Sequence, residues 1–107
     1  MEISQIISQS KEIQDWIVEK RRTIHRNPEL MYEEFETSKL VQNTLEDLDI
    51  PFEKDIAITG VVGTIGNGKD PCIALRADMD ALPIHEQADV EFRSEIDGKM
   101  HACGHDC

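Results

Sequence analysis

The sequence predicts an α/β fold in which two N-terminal helices pack on a small sheet containing a β-hairpin. Three observations predict it. Apolar residues recur at largely helical spacing over residues 3–25 and again over 32–48. From Pro51 the pattern changes to short β-branched runs bounded by glycine. After Ala77 periodicity gives way to a long polar segment that has the character of an irregular, functional connection.

The first helix is carried by Ile3, Ile6, Ile7, Ile13, Trp16, Ile17 and Ile24, with charged and amide side chains on the other face. "HRNPEL" (25–30) interrupts it, because Pro28 disfavours helix at Asn27 and suits the first turn of a new helix. Phe35, Val41, Leu45 and Leu48 mark the second helix, and Pro51 stops it. "PFEKDIAI" and "GVVGTIG" then read as strands, "GNGKDP" (66–71) as a turn and "CIALRA" (72–77) as an apolar strand. The expected hairpin pairs 61–65 with 72–77, through a turn longer than the tight two-residue type. Two helices on one face of a three-stranded sheet leave its other face and both edges uncovered.

The 107 residues suffice for one small domain. The apolar fraction, 39%, sits at the low end for a globular core. Asp and Glu number 22 against 11 Lys and Arg, a net charge of −11, which argues against nucleic acid and anionic membrane as partners. No run approaches the length of a membrane span, and the N-terminus lacks a basic segment followed by an apolar one, so a cytoplasmic location is expected. Three cysteines do not make a disulfide framework. Cys72, within an apolar strand, is expected in the core; Cys103 and Cys107, spaced C-x-x-x-C, leave a regulatory disulfide open.

Chemistry concentrates at the end of the chain, in "MHACGHDC" (100–107). Cys103 and His105 can meet one ion if the backbone turns between them, and Gly104 permits the turn. Two ligands do not complete a site, and a loop histidine beside a partly buried cysteine is the competing interpretation. His101 is near enough to be a ligand or to orient one by hydrogen bonding. In "RADMDALP", Asp78 and Asp80 point to the same side of an extended segment and repel unless a cation or histidine lies between them; the alternative is two solvated aspartates in a turn. His25, beside Arg26 at a helix end, is expected on the surface or capping the helix. "EEFE" and "LEDLD" read as solvated helix faces.

Taken together, "HRNPELMYEE", "TGVVGTIG", "IALRADMDALPI" and "GKMHACGHD", in this order and at these spacings, are distinctive. The chain resembles the N-terminal part of the metal-dependent amidohydrolases that include hippurate hydrolase, N-acyl-L-amino-acid amidohydrolases and auxin-conjugate hydrolases, within a wider metallopeptidase clan. The resemblance runs from about His25 to Asp106. It implies that residues 1–107 are the N-terminal part of a catalytic domain built around two divalent ions (Zn, Mn, Co or Ni), without the family's lid domain, which often mediates dimerisation. It implies hydrolysis of the amide bond of N-acyl or N-aroyl amino acids.

By the same resemblance Cys103 and His105 match the first two metal ligands. Asp80 matches the aspartate that supports the metal centre, and Asp78 falls where clan relatives carry a ligand histidine. His101 and Asp106 are left as supports beside the ligands. The family's general-base glutamate and remaining ligands lie beyond "ACGHD", so a fragment without activity of its own is expected. A stand-alone acidic metal-binding or interaction module, using "HACGHDC", is the alternative from a different class.

Overall fold

The computed structural model describes residues 1–106. It contains three helices, α1 (Ile3–Glu12), α2 (Gln14–Arg26) and α3 (Phe35–Asp47), and two strands, β1 (Phe52–Ile56) and β2 (Gly60–Gly63). A 3₁₀ turn, Gly104–Asp106, follows near the end. The α/β class and the helices laid against a small hairpin sheet hold. No helix of the described residues is long and apolar enough to cross a membrane.

The single helix expected over 3–25 is broken at Ile13, where φ −99° and ψ 2° leave the helical range. α1 buries none of its residues, and Ile3, Ile6 and Ile7 are half exposed or more. α2 ends as the sequence dictates. Asn27, preceding Pro28, takes φ −122°, and its side chain donates to the Thr23 carbonyl at 3.0 Å. Pro28 is the largest fully buried side chain. Glu29 then caps α3: its carboxylate accepts from the N–H groups of Glu36 (3.0 Å) and Thr37 (2.6 Å) and from the Thr37 hydroxyl (2.6 Å). Three donors at a helix N-terminus, where the backbone carries partial positive charge, suit a carboxylate.

The hairpin differs from expectation in its partners. β1 pairs with β2, antiparallel, with Phe52 opposite Gly63 and Ile56 opposite Gly60. Its reversal uses Ala57 and Ile58 at φ 48° and 80°, a left-handed conformation that a β-branched residue rarely takes. The Thr59 hydroxyl anchors that turn by donating to Glu34 Oε2 at 2.6 Å, inside the protein. Gly63 lies under α3, where an added Cβ would stand 3.3 Å from Leu45 Cδ2.

Residues 72–77 are not a strand here, and the expected pairing with 61–65 is replaced by β1–β2. The intervening turn, with Gly66 and Gly68 both at positive φ, does not bring the two segments into register. A β-segment without a neighbour has no ladder for its N–H and C=O groups. Ile73 and Leu75 are 86% and 96% exposed, and Cys72, expected in the core, is exposed as well.

The core is correspondingly small. Ala81 is the buried apolar residue besides Pro28, while His25, Glu34, Thr37, Ser38, Thr59 and Glu86 are buried polar groups. The radius of gyration is 15.7 Å, against about 13 Å for a compact domain of this length.

Candidate metal centre

Three backbone pairings bring the two chemistry-bearing segments together. Ala81 N–H donates to the Glu29 carbonyl at 2.8 Å, within a parallel bridge between Leu30 and Ala81. Leu82 and Met100 exchange both antiparallel bonds, at 2.9 and 3.0 Å. "DMDALP" is thereby laid between the α2–α3 connection on one side and "KMHAC" on the other. Asp80 precedes this ladder and His101 follows it, and the Asp80 carboxylate is near enough for its charge to act on that ring.

Past His101 the backbone closes a turn. Asp106 N–H donates to the Cys103 carbonyl at 3.1 Å, and Asp106 Oδ2 accepts from the Cys103 N–H at 3.0 Å. Gly104, inside the turn, has open space where a side chain would stand. The turn puts Cys103 Sγ 3.7 Å from His105 Nδ1, with both side chains exposed. Two donors sharing a tetrahedral zinc ion, at about 2.3 Å for sulfur and 2.0–2.1 Å for nitrogen, lie roughly 3.6 Å apart. The pair therefore fits a divalent ion in separation and in donor type. Among the described residues no group of three His, Cys, Asp or Glu side chains converges as a metal cage.

His101 stands behind this turn. Its side chain is 9% exposed, its Nδ1 is 3.9 Å from Asp106 Oδ2, and its Nε2 is buried with no hydrogen-bond partner among the described residues. Burial lowers its pKa from the ordinary histidine value; Asp106, Asp80 and Glu29 oppose the shift and His25 adds to it. Asp78 is engaged by a neighbour in the chain: Arg76 donates to its Oδ1 at 2.6 Å. Cys107, expected as a disulfide partner of Cys103 and as part of the closing cluster, lies outside the described residues.

His25 is a correction. It is buried, not a surface or capping residue, because its Nε2 lies 2.6 Å from Glu86 Oε1 and its ring meets Phe92 edge to face at 5.7 Å. Glu86 Oε2 also accepts from the Ser94 N–H at 2.5 Å. Sequence reasoning missed Glu86 altogether. Nothing in "PIHEQADV" marks one carboxylate for burial, and its partner lies 61 residues away.

Burial would raise the Glu86 pKa. The His25 hydrogen bond, the Ser94 N–H and the charges of His25 and Arg93 outweigh it, so the carboxyl sits below its ordinary value. A depressed carboxyl contributes stability that is present above the unfolded value, about 4.3, and is lost as pH falls through the lower folded value. Following the Ser94 amide resonance through an acid titration should therefore give a midpoint below that of an exposed glutamate. A midpoint above it would show that burial prevails.

A cysteine–histidine turn, two donors spaced for one divalent ion, on a small α/β fold is the class of site this arrangement defines. Residues 74–107 match the profile of Peptidase family M20/M25/M40. The chain is 59% identical over 99 residues to IAA-amino acid hydrolase ILR1-like 2 of Arabidopsis thaliana, covering 92% of this chain and 23% of that protein. It is 58% identical over 98 residues to thermostable carboxypeptidase 2 of Saccharolobus solfataricus, covering 90% and 25%. Its fold superimposes on the Bacillus subtilis YXEP protein, described as a dinuclear metal binding peptidase from M20 family, with a TM-score of 0.81 and 44% identity over 90% of this chain and 27% of that one. The likeness drawn from the motifs therefore holds: this chain is similar in sequence and fold to part of the M20 metallopeptidases and amidohydrolases, and it spans about a quarter of the length of these relatives.

Proposed function

We propose that residues 1–107 are the N-terminal part of the catalytic domain of a metal-dependent hydrolase that cleaves the amide bond of N-acyl or N-aroyl amino acids. Cys103 and His105 are two of its metal ligands, and Asp80 supports them. The observation that carries the reading is the 3.7 Å approach of Cys103 Sγ to His105 Nδ1 across a glycine turn. The substrate class is supported by the likeness to a relative named as an amino-acid conjugate hydrolase.

A divalent ion bound there supplies Lewis acidity toward a carbonyl and lowers the pKa of a bound water. The chain's own contribution is narrower. Cys103 and His105 provide soft and borderline donors, and Asp106 holds the turn through the Cys103 N–H. The charge of Asp80 acts on the buried His101 ring, which supports a role for it behind the ligands. Which of the four metals is used, and whether two ions are held, as YXEP is described to do, belong to the same proposal.

The 107-residue polypeptide alone should turn over no N-acetyl or N-benzoyl amino acid in the presence of manganese, zinc or cobalt, because two donors fall short of the three protein ligands usual in catalytic zinc sites. Grafted in place of the matching stretch of the Saccharolobus carboxypeptidase, it should support metal-dependent hydrolysis of such substrates. A folded, metal-loaded chimera inactive toward every N-acyl amino acid would overturn the substrate reading. Turnover by the polypeptide alone would overturn the division of the site.

A further inference from the structure

Among the described residues the His25–Glu86 contact is the most enclosed pairing of a basic with an acidic side chain, 9% and 2% exposed, and nothing in the hydrolytic reading uses it. A buried ion pair is weak evidence for stability, since desolvation offsets much of the attraction; its best-attested use is to specify one arrangement over others. The bonds that radiate from it show which arrangement this is.

Glu86 Oε1 meets His25 at the end of α2, and Oε2 accepts from the Ser94 N–H. The Glu86 main-chain carbonyl accepts from Arg93 Nη2 at 2.9 Å, and the Glu95 N–H donates to the Arg26 carbonyl, one residue past His25, at 2.8 Å. The Ser94 hydroxyl lies 2.7 Å from the Lys99 carbonyl. Lys99 adjoins Met100, which is locked to Leu82 by two backbone bonds, and His101 and Cys103 follow. One carboxylate thus ties the end of a helix to a loop that has no regular structure of its own and ends in the ligand turn.

We propose that His25 and Glu86 are positioning residues for the metal-ligand turn: the pair sets the register of segment 86–101 against α2, and through Met100–Leu82 it fixes where Cys103 and His105 sit. This rests on the reading of Cys103 and His105 as metal ligands. The alternative is a pair that only adds stability, without bearing on the ligand turn.

The test compares the parent chain with His25→Ala and His25→Gln, a glutamine amide being able to reach and donate to Glu86 Oε1. Two quantities are read: hydrogen exchange at the Leu82 and Met100 amides, and cobalt affinity from the thiolate-to-cobalt absorption band. His25→Ala should speed exchange at both amides and weaken cobalt binding about tenfold, the scale of losing a group that orients a ligand, with helix content unchanged. His25→Gln should restore both.

Exchange at Leu82 and Met100 that is equally slow in His25→Ala, or unprotected already in the parent, would overturn the proposal. So would unchanged cobalt affinity in His25→Ala, or failure of His25→Gln to restore either quantity. A parent chain with no thiolate band would instead overturn the assignment of Cys103 as a ligand, and the exchange data would then decide whether the pair positions the segment.

Discussion

Replacing Glu86 with alanine should be the most destabilising single substitution in the chain. The change strands His25 and the Ser94 N–H inside the protein, after each has lost its partner at 2.6 and 2.5 Å. Removing one member of a buried pair typically costs roughly 3–5 kcal/mol. The flanking residues His85 and Gln87 are exposed, so water offsets part of the loss, and the low end, about 3 kcal/mol, is expected. The fold has little to spare. A chain of this length holds about 5–15 kcal/mol of net stability in favourable cases, and here few apolar side chains are buried. The thermal midpoint should fall by on the order of 10–15 °C. Circular dichroism melts of Glu86→Ala beside Leu75→Ala make the comparison, since Leu75 is 96% exposed and its truncation should leave the midpoint in place. A Glu86→Ala midpoint within a degree or two of the parent would mean that the pair is solvated in solution.

The same contact shows where the sequence was readable and where it was not. Helices α2 and α3 were legible because their signals are local: a 3.6-residue period and a proline shortly after each one ends, at Pro28 and Pro51. The approach of Cys103 to His105 was legible for the same reason, since Cys103, Gly104 and His105 are neighbours in the chain. The strands were only half legible. Their glycine-bounded character could be read, but pairing is a relation between segments, and "CIALRA" looks like a strand whether or not a partner stands beside it. In this chain β2 takes β1, and Ile73 and Leu75 stay in water. The break at Ile13 falls at no proline or glycine, so no residue announces it.

His25 and Glu86 were illegible in a stricter sense. A histidine beside an arginine at a helix end is a surface residue on local grounds. Only the return of the chain 61 residues later supplies the carboxylate that buries it. The capping role of Glu29 was hidden in the same way, because the N–H groups that donate to it lie beyond the residues that a capping motif spans.

Cys103→Ala should remove metal binding from this chain altogether, and this is the largest functional effect expected of any substitution. Thiolate is the softest donor present, and a coordinating thiol is deprotonated outright by the ion. Its loss leaves His105 as a lone exposed imidazole, which holds an ion no better than any surface histidine. His105→Ala should weaken binding strongly while leaving a thiolate-to-cobalt band of altered position, because the sulfur remains. Asp80→Ala should be milder, about 10–100-fold, as expected of a group that acts on the ligands through a neighbour. Cys72→Ala is the control: its thiol is exposed on a segment with no strand partner, and the Cys103–His105 contact does not involve it. Cobalt titration read by the thiolate band, with metal content after dialysis as a second measure, ranks the four variants. The order Cys103, His105, Asp80, Cys72 is the expected one. Full metal content in Cys103→Ala, or a loss confined to Cys72→Ala, would mean that the 3.7 Å contact across Gly104 is a feature of the turn and not the start of a metal site.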